Sequence, residues 1–82
     1  MNTSAARSPS EVKTYRVLEA ANNYRLLHSW PPSLREIAAI TGISTSQVNA
    51  HVWQLVALGL VTQEPRRSRT LVVTKAGKEA LQ

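Results

Sequence analysis

Three times in the first part of the chain a serine stands three residues ahead of a glutamate or glutamine: Ser8 with Glu11, Ser33 with Glu36, and Ser44 with Gln47. That spacing is a capping box. The serine side chain accepts from an orphan backbone N–H of the first helical turn, and the acidic or amide side chain reaches back to the serine's own N–H. Three such starts commit the chain up to Leu58 to three helices. The first is predicted from Pro9 to His28: proline suits the first helical position, and Val17, Ala20, Ala21, Tyr24 and Leu27 recur at helical spacing. Trp30-Pro31-Pro32 stops it, because a residue before proline is pushed out of the helical region. The second helix is short, with apolar contacts expected from Leu34, Ile37, Ala38 and Ile40, and Gly42 as its stop. The third is predicted from Thr45 to Leu58, ending at Gly59, with Val48, Val52 and Leu55 on its inner face.

Beyond Gly59 the pattern changes. Leu60 to Gln63 and Thr70 to Thr74 read as short strands around a turn at Pro65 to Ser68, which makes a hairpin. Thr74 can cap a last helix, Lys75 to Leu81, which Gly77 weakens. Met1 to Arg7 is polar and aperiodic and reads as a tail, leaving residues 8–82 as one domain. An 82-residue chain is marginal alone, so a second subunit or a bound polymer would help to hold it. With no Cys there is no disulfide framework, thiol nucleophile or Cys-based zinc site. No membrane-spanning run and no signal-peptide core is present, and a cytoplasmic location is expected. Ten Lys/Arg against five Asp/Glu leave a net charge of +5, which favours polyanionic partners.

The middle of the chain narrows this further. Two short helices are joined by Thr41-Gly42-Ile43-Ser44, and a short turn containing Gly sets helices at a steep angle. In that arrangement the second helix can enter the major groove of duplex DNA, its first residues on base edges. Here those residues are Thr45, Ser46, Gln47 and Asn49, which can donate and accept hydrogen bonds; Gln and Asn can pair bidentately with adenine. Ser46, Asn49, Ala50 and Trp53 lie opposite Val48, Val52 and Leu55 on the helical wheel. Ser44 is first of all a cap, and is also a candidate backbone contact. The hairpin tip carries Arg66, Arg67 and Arg69, whose mutual repulsion an anion would relieve and whose fork geometry suits phosphate. Arg35, in the first turn of the second helix, is a further phosphate candidate. The expected fold is mainly α with a small β-hairpin: a winged helix-turn-helix of three helices, a two-stranded wing and a short C-terminal helix.

Pro31-Pro32-Ser33-Leu34-Arg35-Glu36-Ile37-Ala38 followed by Gly42 resembles the DNA-binding domain of LexA-type repressors. The likeness continues through Val48-Asn49-Ala50-His51, Leu55 and Gly59-Leu60-Val61, and closes on Glu64-Pro65-Arg66-Arg67-Ser68-Arg69, covering about two thirds of the chain. The first segment is fairly specific; Leu55 to Val61 is shared by many winged-helix families. The resemblance implies recognition of a two-fold operator by a homodimer, with base contacts from Ser46, Gln47, Asn49 and Ala50 and backbone contacts from Arg66, Arg67 and Arg69. The approach to the third helix is a residue shorter than in many members, so the resemblance fixes the base assignments only to within one position. The chain stops where that family continues into a self-cleaving peptidase domain, so neither that domain's dimerisation nor its cleavage is expected here.

The end of the third helix is apolar where that family carries charge. Trp53, Val56 and Ala57 are therefore a candidate protein interface, which Leu18 and Leu26 could extend, unless the last helix covers it. The alternative function is accordingly a winged-helix adaptor that binds another protein through the Trp53 patch. Repression by occlusion is the expected mechanism. No catalytic constellation, cofactor, metal site or small-molecule substrate is expected: His28 and His51 have no clustered carboxylate or thiol, His51 reads as a packing residue, and Trp30 as packed beneath the prolines.

Overall fold

The computed structural model describes residues 9–82; the expected tail, 1–7, and the Ser8 cap lie outside the described residues. The order is α1 (Pro9–Leu27), α2 (Leu34–Thr41), α3 (Thr45–Ala57), β1 (Val61–Thr62), β2 (Val72–Val73) and α4 (Lys75–Ala80). The strands pair antiparallel, Val61 opposite Val73 and Thr62 opposite Val72. This is the winged helix-turn-helix that the helix starts and the hairpin predict.

The local reasons are visible at each end. Ser33 Oγ accepts from Glu36 N–H at 3.2 Å while Ser33 N–H donates to Glu36 Oε1 at 2.8 Å, which completes the second capping box. Ser44 Oγ accepts from Gln47 N–H at 3.3 Å, but there the box is only half made, because the Gln47 side chain does not return the bond. Gly42 closes α2 in the left-handed conformation, φ +76°. At the end of α3, Leu60 N–H donates to Leu55 O and Gly59 N–H to Val56 O, both at 3.0 Å, with Gly59 at φ +75°. That pair of bonds is a Schellman motif, and it turns the chain from α3 into the wing.

Val17, Leu18, Ala20 and Ala21 of α1 meet Ile37, Ile43, Val48, Val52 and Leu55, and the wing adds Val61 and Leu71 from above. Burying an aliphatic side chain of this size contributes about 1.5–3 kcal/mol. Three expectations change here. Leu27, at the end of the expected apolar row of α1, is 81 % exposed. Leu18 belongs to this core rather than to an outer patch, because α1 is covered on two sides, by α2 and α3 and by β2. Ile40 is 56 % exposed; α2 instead buries Ile37 and Thr41, four residues apart on one face. Thr41 is tolerated there because its hydroxyl donates to Ile37 O at 2.8 Å and accepts from Ile43 N–H at 3.2 Å. It therefore ties the turn to the helix before it.

Both strands are shorter than the apolar runs predicted, since pairing stops after two residues on each side. α4 forms despite Gly77, for a reason that periodicity does not carry. A Cβ at that position would stand 2.1 Å from Leu60 O and 2.8 Å from Val73 Cγ1. The glycine lets α4 lie directly on the corner between α3 and the wing, where Thr74 Oγ1 accepts from Gly77 N–H and donates to Gly59 O.

Candidate nucleic-acid interface

One face of the molecule is built from the first turn of α2, the outer side of α3 and the loop of the wing. Between them runs an open groove of about 600 Å³. Arg35 lines it from α2, Thr45, Asn49 and Trp53 from α3, and Arg66, Arg67 and Arg69 from the wing. Ser46, Gln47 and Ala50 are exposed on α3 but outside the groove lining. Ser44 is the cap of α3, its Oγ also 3.5 Å from Ser46 Oγ. Of the expected base-reading residues, the fold thus brings Thr45 and Asn49 into one groove with Arg35 and the wing arginines.

The wing owes its shape to two side chains. Thr70 Oγ1 accepts from Glu64 N–H at 3.0 Å and donates to Arg67 O at 3.1 Å, closing the neck of the loop. Arg69 lies against Glu36, with Nη1 to Oε1 at 2.9 Å and Nη2 to Oε2 at 3.1 Å, and Nη1 also donates to Pro31 O at 3.1 Å. A bidentate fork of this kind fixes orientation as well as adding attraction. Glu36 is the carboxylate that completes the α2 capping box, so one acid holds both a helix start and the wing. Tyr24 OH donates to its Oε2 at 2.9 Å, and Trp30 Nε1 donates to Tyr24 OH at 3.1 Å. The Arg69 guanidinium foremost, then the Ser33 backbone N–H, hold the Glu36 carboxyl at about 2, well below the usual carboxylate range.

The three wing arginines are therefore not equivalent. Arg69 is engaged with Glu36, and Arg67 forms an exposed pair with Glu64 at 3.4 Å, a contact of small energetic weight. Arg66 makes no ion pair with any described residue; like Arg69, at φ +59°, it sits in the left-handed region, at φ +63°, where a side chain is disfavoured. Arg35 likewise has no ion-pair partner among the described residues. The Arg69–Glu36 clamp joins positions 33 apart, and nothing in the local sequence signals it.

The residues grouped as a protein-interface candidate separate. Trp53 lines the wing groove, whereas Val56 packs against the core. Ala57 lines a second groove of about 620 Å³ between α1, α3 and α4, beside Leu58, which is 66 % exposed. His51 is 8 % exposed, its Nδ1 2.7 Å from Thr14 Oγ1 and 3.2 Å from Gln54 Oε1, so it links α3 to α1. Trp30 lies beside His28, ring centroids 5.4 Å apart, and donates its Nε1–H to Tyr24 OH. Among the described residues no helix is long and apolar enough to cross a membrane.

The chain is similar to LexA repressors from several bacteria. It is 43 % identical over 53 residues to that of Lacticaseibacillus casei, covering 63 % of this chain and 26 % of the relative. It is 40 % identical over 55 residues to that of Limosilactobacillus fermentum, 66 % of this chain and 26 % of the relative. To that of Anaeromyxobacter dehalogenans it is 42 % identical over 55 residues, 66 % of this chain and 24 % of the relative. The resemblance expected from the Pro31–Ala38 segment is borne out, and the chain spans about a quarter of the length of the curated relatives it matches. No protein-family model matches the chain, and no solved structure matches it significantly.

Proposed function

We propose that this domain binds double-stranded DNA in a sequence-specific manner and acts as a non-enzymatic transcriptional repressor. The third helix enters the major groove with Thr45, Ser46, Gln47, Asn49 and Ala50 on base edges. Arg66, Arg67 and Arg69 of the wing, with Arg35 and Ser44, meet the phosphates or the adjacent minor groove. The observation that carries this reading is the groove that α3 and the arginine wing share: a helix start with exposed hydrogen-bonding side chains, set beside cations with no internal use for all of their charge. Arg66 adds weight. It is exposed, has no ion-pair partner among the described residues, and holds a backbone conformation that would suit glycine better, which favours a role for its charge. Similarity to proteins named as repressors supports the regulatory half of the proposal. Two copies on a two-fold site, in the cytoplasm, complete it.

The test is enrichment of a random duplex pool at near-physiological salt, followed by sequencing. A two-fold motif is the expected outcome, and a reporter carrying that motif falls in output when the protein is expressed. Motif-free binding that disappears with salt overturns the sequence-specific reading, because counterion release alone would then account for it. A reporter that rises overturns repression. The adaptor alternative draws on the groove between α1, α3 and α4, where Ala57 and Leu58 are open; binding to another protein that salt scarcely weakens would favour it.

A further inference from the structure

Thr45, Asn49 and Trp53 follow one another every four residues and so form a single row along α3, and all three line the groove that faces the wing. The first two are short and polar. Trp53 is the large apolar member, 37 % exposed, at the position where the helix row and the wing come together. Its indole differs from the other one in the chain. Trp30 gives its N–H to Tyr24, whereas the Trp53 Nε1–H meets no acceptor among the described residues. An indole nitrogen can only donate; in the free protein this exposed one is left to water, which an acceptor on a ligand can replace. The surroundings say which kind: Arg35 and Arg66 line the same groove without an ion-pair partner among the described residues, while its carboxylate, Glu64, is paired with Arg67. A cationic groove with an apolar plate and one unanswered N–H suits a group that is anionic at one end and apolar at the other.

The sugar–phosphate strand of a duplex is such a group. With α3 in the major groove and the wing at the neighbouring minor groove, the strand dividing the two grooves must pass between them, over Trp53. We propose that Trp53 is a DNA-backbone contact, its ring against a deoxyribose and its Nε1–H donated to a phosphate oxygen, and that it sets how deeply α3 enters the groove. This rests on the DNA-binding reading above and adds a residue to it that charge-based reasoning passes over.

The experiment uses the full chain and the duplex enriched from the random pool. In a Trp30→Phe background Trp53 is the only tryptophan, and circular dichroism melting verifies that each variant is folded. On titration with duplex, Trp53 emission changes and its quenching by acrylamide falls. Trp53→Phe keeps a ring and loses the N–H, and weakens binding by about 10–150-fold, the size of one lost hydrogen bond to a charged acceptor. Trp53→Ala weakens it more. Neither changes the salt slope, because no counterion is tied to an uncharged donor, whereas Arg66→Ala lowers the slope by about 1. Replacing single phosphates by neutral methylphosphonates then finds one position per half-site that costs the Trp53 protein affinity and costs the Trp53→Phe protein nothing further. If the duplex binds, Arg66→Ala and Gln47→Ala weaken it, and both Trp53 variants bind as tightly as the parent, the Trp53 contact is wrong and the DNA-binding reading stands. If no duplex binds, both are wrong.

Discussion

Glu36 joins the start of α2 to the wing through Ser33 and Arg69, and its chemistry makes that junction sensitive to acid. Its carboxyl is held at about 2 by Arg69 and the Ser33 N–H, while in an unfolded chain it titrates near ~4.3. A depressed carboxyl stabilises the folded state fully above its unfolded value, and that contribution is lost as pH falls through the interval down to the folded one. Urea midpoints should therefore be level from neutrality to about pH 5 and fall between about pH 4.5 and 2. Glu36→Gln should lower the midpoint at pH 7 and flatten that fall; a variant whose acid profile parallels the parent's would show that the clamp does not couple to folding. Because Arg69 is the residue that Glu36 holds, Glu36→Gln should also loosen the wing and weaken duplex binding without touching DNA. Arg66 gives the opposite dissociation. At φ +63° its replacement by glycine relieves strain of about 1 kcal/mol and adds a similar unfolded-state entropy, so stability should change by less than about 1 kcal/mol. Duplex affinity should nevertheless drop, with the salt slope reduced by about 1. A large loss of stability in Arg66→Gly would mean that the arginine shapes the wing after all.

Among the elements, α4 is where composition and structure disagree most, and Gly77 is the reason. By helix propensity, Gly77→Ala should help α4 by about 1 kcal/mol. Contact geometry points the other way, since the new methyl would stand 2.1 Å from a backbone carbonyl, Leu60 O, which cannot rotate aside as a side chain would. Overpacking of this kind costs about 1–3 kcal/mol, so the net effect expected is destabilisation, with α4 displaced from the Gly59–Leu60 corner. A thermal melt at or above the parent's midpoint would show that α4 is not seated as described. The same contrast separates what could be read in the chain from what could not. Ser33 with Glu36, Gly42, Gly59 and Thr74 mark their helix ends because a cap and the groups it satisfies lie within a few residues. The half-made Ser44 box, the exposure of Ile40 and the close seat of Gly77 depend on what packs from elsewhere. Trp53 was legible as an unpartnered apolar residue, but not as a neighbour of the wing, since that adjacency exists only once the hairpin folds back over α3.

At the scale of the whole molecule, the two networks argue that wing and helix-turn-helix move as one body. The core joins α1, α2 and α3, and the Glu36 group ties Arg69 of the wing to Tyr24 of α1 and Ser33 of α2. A ligand that spans α3 and the wing is then met by a surface already in place, and little of its binding energy is spent on ordering. A domain of this length has a small core and modest stability, so such a ligand should be visible as added stability. Duplex present at about 100 times its dissociation constant adds about 2.7 kcal/mol. In a domain of 60–100 residues each kcal/mol moves the melting midpoint by about 4–8 °C, and a rise of roughly 10–20 °C is expected with the enriched duplex. A scrambled duplex should give a smaller rise that fades with salt, and Glu36→Gln should reduce the rise because the wing is no longer delivered with α3. Equal shifts from enriched and scrambled duplex would indicate charge attraction alone, and no shift from either would remove DNA as the partner.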